Sequence, residues 1–231
     1  MTRTIGRHGG ASLHALRDTP FGTVAASAIE AALAPTFFVD SDSGAVVRFA
    51  RDRTAGAATP VARAVALFYA VRDEVEYKLM SRLGLEREGF VASATLARRT
   101  GFCIEKAVLL AAACRAAGIP ARLRFADVRN HLTTPEMAAH MGTDVFIWHG
   151  LVEMLLGDRW VKATPAFDRA LCERHGAKPI DFDGRSDAVF HESDVNEHRH
   201  MEYVKERGIF EDLPYETIIA SFKETYPQMY G

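Results

Sequence analysis

The middle of this chain has the pattern of a helix that leads directly into a strand and is followed by a hairpin of two further strands. Residues 102–117 have a helical composition, with Gly118 at the position that commonly ends a helix. Residues 121–129 then alternate apolar and charged side chains, as half-buried strands do. Two further strand patterns, 144–156 and 159–163, are separated by the hairpin dipeptide Gly-Asp. This order predicts an α+β domain with an antiparallel sheet.

The remaining segments are interpreted as extensions of one globular unit. The chain has 231 residues, which fits a single domain with terminal additions. We expect an N-terminal extension with a short Ala-rich helix over residues 1–58, in which residues 37–47 form an extended piece and a turn. The core is expected over residues 59–180 and opens with a helix capped by Thr59. Residues 181–231 are expected to form a C-terminal helical extension packed on the core.

Composition excludes several classes of partner. The chain has 28 Lys and Arg residues against 30 Asp and Glu residues, so it lacks the basic excess typical of nucleic-acid binding. The most apolar early stretch, residues 23–35, is short and contains Glu30, so neither a membrane span nor a membrane partner is expected. No apolar run follows the first charged residues, so no secretory signal is expected. The three cysteines are few and odd in number, which is poor material for a disulfide framework. This favours reduced thiols and a cytoplasmic location.

Cys103 is the first candidate for catalytic chemistry. With Thr100 as N-cap, Cys103 would lie in the first turn of the helix, where unpaired N–H groups and the helix dipole stabilise a thiolate. Gly101 permits a sharp turn and leaves space beside the sulfur. A core role is the alternative, because Cys103 and Cys114 share one apolar stripe and free cysteines are commonly buried. Cys114 and Cys172 are interpreted as structural, since nothing near them would stabilise a thiolate.

His149 is the leading candidate for the base that a thiol nucleophile requires. It lies inside an apolar strand, where a histidine costs free energy unless it is hydrogen-bonded. Regular alternation would place Ile147, His149 and Leu151 on one face of that strand. A hydrogen-bonded structural histidine is the alternative. His131, in the loop after the preceding strand, is a second candidate for the base, because such loops often line active sites.

Three histidines near the C-terminus raise the separate hypothesis of a metal-binding module. His191, His198 and His200 occur among several acidic residues, but no Cys-x-x-Cys or His-Glu-x-x-His spacing accompanies them. Metal sites need several convergent ligands, so a polar surface is the favoured interpretation. We therefore expect no metal and no other cofactor.

Together, these segments resemble the core of the transglutaminase-like superfamily, a group of papain-related cysteine transamidases and hydrolases. The resemblance covers residues 59–168 and includes the upstream helix, the cysteine helix with its Gly-Ile-Pro-Ala-Arg ending, and the histidine strand. In that strand His149 is followed by Glu153 and then by Gly and Trp, as in the family. The resemblance implies a papain-like α+β fold in which the nucleophile helix packs on an antiparallel sheet. It also implies Cys103 as nucleophile and His149 as general base.

The third member of the implied triad departs from the family pattern. The family strand ends in Trp-x-x-x-Asp-Pro, whereas this chain has Trp-Val-Lys-Ala-Thr-Pro and so places Thr164 in the Asp position. Either the Thr164 hydroxyl orients His149, or a carboxylate does so from elsewhere, with Asp168 the nearest candidate along the chain. A neutral Thr stabilises an imidazolium less than a carboxylate, because it adds no opposite charge.

The resemblance implies a cysteine-dependent amide hydrolase or acyl transferase. A thiolate–imidazolium pair of Cys103 and His149 would attack an amide or ester carbonyl, and N–H groups at the helix start would hold the oxyanion. The acyl-enzyme would then pass to water or to an amine. A peptide, a protein or a small amide is the expected substrate. The alternative is a transglutaminase-like fold used for binding, with the triad incomplete at Thr164.

Overall fold

Helices and strands are interleaved along the chain. The computed structural model describes residues 24–79, 86–131, 139, 141–190 and 201–230. The helices are α1 (Ala26–Ala31), α2 (Gly44–Arg53), α3 (Pro60–Glu74), α4 (Ala92–Arg98), α5 (Cys103–Ala116), α6 (Arg169–Arg174), α7 (Tyr215–Thr225) and α8 (Pro227–Tyr230). The strands are β1 (Glu76–Tyr77), β2 (Thr100–Gly101), β3 (Ala121–Asn130), β4 (Val145–Leu156), β5 (Arg159–Ala163) and β6 (Met201–Phe210). A 3-10 helix, Arg87–Phe90, precedes α4.

A four-stranded antiparallel sheet forms one layer of the fold. Its strand order is β5-β4-β3-β6, while β1 and β2 form a separate parallel pair. Helix α5 packs across β3 and β4, and α2, α3 and α4 pack against α5. Every residue of α5 from Ile104 to Arg115 is buried, as expected for a helix that is largely apolar on all sides. The predicted α+β fold, with the cysteine helix packed on an antiparallel sheet, is confirmed.

The local signals at two helix ends act as the sequence predicts. The Thr59 hydroxyl accepts a hydrogen bond from the Ala62 N–H at 3.1 Å, and Pro60 is the first residue of α3. Gly118 has φ +74°, a left-handed conformation that glycine adopts without steric cost. Helix α3 ends at Glu74, because the next residues leave it to form β1.

Two segments differ from the sequence-based expectations. Residues 37–47 were expected as an extended piece and a turn, but α2 begins at Gly44, with the Ser43 hydroxyl accepting from the Val46 N–H at 3.3 Å. The C-terminal region was expected to be helical, but it supplies β6, which pairs with β3. The helical description therefore fits only α7 and α8.

A buried ionic group fixes the register of the central strands. Glu153 of β4 is fully buried and accepts hydrogen bonds from Arg122 and Arg124 of β3. Arg124 also donates to Glu206 of β6 at 2.9 Å. A one-residue slip of either strand would leave these charges buried without partners, which costs several kcal/mol. Glu153 thus aligns β4 with β3, and Arg124 extends the ionic group to β6.

None of the helices in the described ranges is long and apolar enough to cross a membrane.

Candidate active site

Cys103 is the first residue of α5. The N-cap is Phe102 and not Thr100, because Thr100 and Gly101 form β2 and pair with β1. The Phe102 N–H donates to the carboxylate of Glu105 at 3.0 Å, which anchors the start of the helix. Cys103 therefore lies two positions earlier in the helix than expected, but still in the turn whose N–H groups are unused by the helix itself.

Gly150 brings strand β4 into direct contact with the cysteine. A Cβ atom at position 150 would lie 3.0 Å from the Ile104 Cα and 3.1 Å from the Cys103 carbonyl oxygen. Any larger residue would push the strand and the helix apart. Burial raises the pKa of the Cys103 thiol, and the N–H groups of Gly150, Ile104 and Cys103 oppose this rise only in part.

A β-bulge directly precedes His149. Ala126 of β3 pairs with His149 of β4, and two residues on, Val128 pairs with Phe146. Two residues of β4, Ile147 and Trp148, therefore lie opposite one residue of β3. Trp148 adopts φ +58°, which costs a bulky side chain about 1 kcal/mol or more. Because β4 has one extra residue at this point, the regular alternation of side chains expected along the strand is interrupted between Ile147 and His149.

Asp127 holds this bulge in place. Its Oδ1 accepts from the Trp148 N–H at 3.0 Å and from Arg207 Nε at 2.8 Å, and its Oδ2 accepts from Arg207 at 2.8 Å. Asp127 is buried, and the Arg207 guanidinium also lies 5.2 Å from the centre of the Trp148 ring. Bulges often redirect a side chain near an active site. Here Asp127 stabilises the strained residue that determines where His149 lies.

Thr164 is the hydrogen-bond partner of the His149 ring. His149 Nε2 lies 3.0 Å from the Thr164 Oγ1, and the same hydroxyl lies 3.4 Å from the Gly150 carbonyl oxygen. When the hydroxyl donates to that carbonyl, it accepts from His149 Nε2–H. The unprotonated ring nitrogen is then Nδ1, which can act as a base.

Asp168 is engaged elsewhere. Its Oδ1 accepts from the Leu171 N–H and caps α6, and its Oδ2 accepts from the Tyr77 N–H, both at 2.8 Å. Asp168 therefore ties β1 to α6. Of the two candidates for the third position, the structure places Thr164, and not Asp168, at the imidazole.

Cys103 and His149 line the same cleft. Other walls of the cleft come from β1, from the start of β4 and from the segment that follows β5, and they include Tyr77, Phe146 and Phe167. Phe190 packs against the His149 ring, with ring centres 4.5 Å apart. Cys103 remains partly exposed, whereas Cys114 and Cys172 are buried.

Burial disfavours the charged forms of both candidate catalytic groups. It raises the pKa of the Cys103 thiol to about 11 and lowers the pKa of His149 to about 3. Burial therefore favours the thiol and the neutral imidazole as the resting forms of the pair. This differs from the thiolate–imidazolium pair expected from the sequence, because desolvation outweighs the N–H groups that favour the thiolate.

The other histidines do not join this site in the described part of the chain. His131 follows β3, and its Nε2 lies 3.0 Å from a carboxylate oxygen of Glu202. His131 is not among the described residues of the cleft. His191, His198 and His200 lie outside the described residues. Among the residues that the structure describes, no group of His, Cys, Asp and Glu side chains is arranged to hold a metal ion.

Comparison with known proteins places this arrangement in a family. Residues 47–165 match the profile of the transglutaminase-like superfamily. The chain belongs to the transglutaminase-like superfamily. No curated protein matches this transglutaminase-like chain.

Two solved structures resemble the transglutaminase-like chain. A candidate cysteine protease from Cytophaga hutchinsonii is 19% identical, with a TM-score of 0.48, and the match covers 84% of this chain and 57% of that one. The periplasmic domain of TgpA from Pseudomonas aeruginosa is 21% identical, with a TM-score of 0.40, and the match covers 62% of this chain and 48% of that one. This chain thus spans about half the length of these two structures.

Sequence reasoning missed two buried residues near the transglutaminase-like site. Tyr203 of β6 is buried beside His149, with ring centres 6.3 Å apart, and its hydroxyl accepts from the Phe190 N–H at 3.3 Å. Lys106, one turn after Cys103, is fully buried and donates to the carbonyls of Arg72 and Val75. Burial lowers the pKa of Lys106 to about 7. The only sequence signal for Lys106 is its position three residues after the candidate nucleophile.

Proposed function

We propose that this chain is a cysteine-dependent amide hydrolase or acyl transferase, with Cys103 as nucleophile and His149 as general base. The observation that carries the proposal is that both residues line one cleft, with the base held through Nε2 by Thr164. The retained Nδ1 lone pair is the feature that a general base needs. Membership of the transglutaminase-like superfamily supports the same type of chemistry.

The proposed reaction begins from the uncharged pair. Nδ1 of His149 takes the thiol proton as the Cys103 sulfur forms a bond to the substrate carbonyl carbon. The N–H groups at the start of α5 stabilise the oxyanion. The imidazolium then gives its proton to the departing amine as the C–N bond breaks, which leaves an acyl thioester on Cys103. Water or a second amine, deprotonated by His149, releases the acyl group.

The acyl-enzyme itself provides the test. The chain is mixed with a set of N-acetyl amino acid p-nitroanilides, quenched with acid, and examined by intact-mass and peptide mass spectrometry. We expect an acyl adduct on Cys103, released p-nitroaniline, and conversion of part of the product to hydroxamate when hydroxylamine is added. The Cys114→Ala variant serves as the control and should give the same adduct. Turnover without an adduct on Cys103, or no turnover of any member, would overturn the proposal.

A binding protein with weakened catalysis is the second candidate. The observation that favours it is the neutral hydroxyl of Thr164 at the position where a carboxylate would stabilise the imidazolium. A biological role that persists in the Cys103→Ala variant would support it. The three unpaired cysteines fit a reducing compartment, and on that ground we propose a cytoplasmic location for either candidate.

Substitutions at Thr164 should separate the two candidates by their pH profiles. In Thr164→Asp the carboxylate should raise the pKa of His149, which makes the imidazole a stronger base toward the Cys103 thiol. We expect the acid limb of kcat/KM to move to higher pH, because His149 stays protonated to a higher pH, with a gain of about tenfold or more at neutral pH. Thr164→Val should lower kcat by about tenfold, because Nε2–H loses its partner. Identical profiles for the three proteins would show that position 164 does not orient the base.

A further inference from the structure

A second cleft meets the first at Cys103. Its described lining comes from the segment after β1, the start of β4, and helices α7 and α8, and it includes Leu79, Phe102, Ile147, Phe222 and Met229. Of the described lining residues, none is charged, and His149 is not among them. The space in this cleft, including its open mouth, is about 450 Å³. A predominantly apolar and aromatic lining is typical of ligand pockets.

The inner wall of this apolar cleft is preformed. The buried Tyr226 accepts a hydrogen bond from the Ile147 N–H at 2.7 Å and donates to the Val145 carbonyl at 2.8 Å. These bonds join the junction between α7 and α8 to the start of β4. Phe222 packs beside Tyr226, with ring centres 5.8 Å apart. Leu79, at 39% exposure, lies at the accessible end.

The position of His149 indicates which part of a substrate each cleft receives. The imidazolium has to protonate the departing amine, so the leaving group belongs in the cleft that contains His149. The acyl side chain then extends from the same carbonyl carbon into the other cleft. We propose that the apolar cleft is the acyl-side-chain subsite and that it selects a large aliphatic or aromatic side chain. This inference rests on the proposed function and adds its substrate class.

The lining of the cleft explains the selection. A large apolar side chain would leave water for a wall of aromatic and aliphatic groups, which is favourable in proportion to the buried area. A carboxylate or ammonium would lose its hydration and meet no charged side chain among the described residues of the wall. A side-chain carboxamide would also lose hydrogen bonds to water. The preference should therefore be for Phe and Leu over Gln, and least for Asp and Lys.

Alkylation of Cys103 measures this preference without turnover. The probes are N-acetyl aminoacyl chloromethyl ketones with Phe, Leu, Gln, Asp or Lys side chains, in which the sulfur displaces chloride. Each second-order rate is followed by intact mass and divided by the rate with iodoacetamide, which carries no side chain. We expect the Phe and Leu probes to react about 30-fold or more faster than the Asp and Lys probes.

The outcomes separate this inference from the proposed function. Equal rates across the probes, or faster reaction with a charged probe, while iodoacetamide still labels Cys103 selectively, would overturn the subsite alone. Failure of both iodoacetamide and every ketone to label Cys103 selectively would overturn the proposed function and the subsite with it.

A charge at the mouth of the cleft should change the preference. Leu79→Lys is expected to raise the rate of the Asp probe relative to the Phe probe by about tenfold, because it supplies the missing opposite charge. Val47→Lys is the matched control, since Val47 is 42% exposed on α2 and is not among the described lining residues. An equal change in both variants, or no change in Leu79→Lys, would overturn the assignment of this cleft.

Discussion

The Cys103→Ala and His149→Ala variants are expected to lose about 10³-fold or more of kcat/KM, because each removes one half of a nucleophile–base unit. The double variant should lose little beyond either single variant, since the remaining partner has no function alone. Hydrolysis of the best p-nitroanilide, measured in all three variants, checks this prediction.

The matched control is another cysteine of the same helix. Cys114 is fully buried on α5, so a substrate cannot reach its sulfur. Burial also raises the pKa of its thiol to about 12, which disfavours the nucleophilic thiolate. The Cys114→Ala variant should retain kcat/KM within about twofold, because its loss is one of packing and not of chemistry. A strictly additive double variant, or equal losses in Cys114→Ala and Cys103→Ala, would contradict the paired roles.

The second large effect is expected in stability, at the buried carboxylate that holds the bulge. Asp127→Ala leaves the Arg207 guanidinium without its bidentate partner and the Trp148 N–H without an acceptor. We expect the free energy of unfolding to fall by about 3–5 kcal/mol, as for other buried ion pairs that lose one partner. Urea denaturation, followed by tryptophan fluorescence, measures this change.

Two further variants distinguish a local from a general effect. Asp144→Ala removes an exposed carboxylate directly before β4. Its ion pair with Arg129 should contribute less than about 1 kcal/mol. Asp127→Asn keeps an acceptor for the Trp148 N–H, so it should fold, but its kcat should fall about tenfold with little change in KM because His149 is less well positioned. An equal loss of stability in Asp127→Ala and Asp144→Ala would show that the bulge is not held as described.

The sequence predicted those parts of the fold that have local causes. The cap at Thr59, the turn at Gly118 and the alternation in residues 121–129 each identified an element that the structure confirms. These signals arise from backbone conformation and side-chain periodicity within a few residues. The pairing of Cys103 with His149 as nucleophile and base is instead a prediction that rests on the family resemblance.

The rest depended on contacts between distant residues. Residues 201–210 are too polar for their sequence alone to predict a strand. They form one by pairing with β3, which lies nearly 80 residues earlier in the sequence. Thr100 pairs with Glu76 and so is not the N-cap of α5, and this pairing cannot be inferred locally. The bulge at Trp148 has no local signal either, since it depends on Asp127 from the neighbouring strand. The bulge and Tyr203, which sequence reasoning also missed, arise from such pairings.

The most direct measurement is the rate at which iodoacetamide alkylates each cysteine, followed by peptide mass spectrometry from pH 6 to pH 10 in the wild type and in His149→Ala. Cys103 should react at least about ten times faster than Cys114 and Cys172, because only its thiol is partly exposed and it lines the same cleft as the proposed base His149. Its rate should rise steadily with pH, since burial raises the thiol pKa to about 11. His149→Ala should slow Cys103 about tenfold at neutral pH. Equal, slow labelling of all three cysteines, unchanged by His149→Ala, would contradict the pairing of Cys103 with His149.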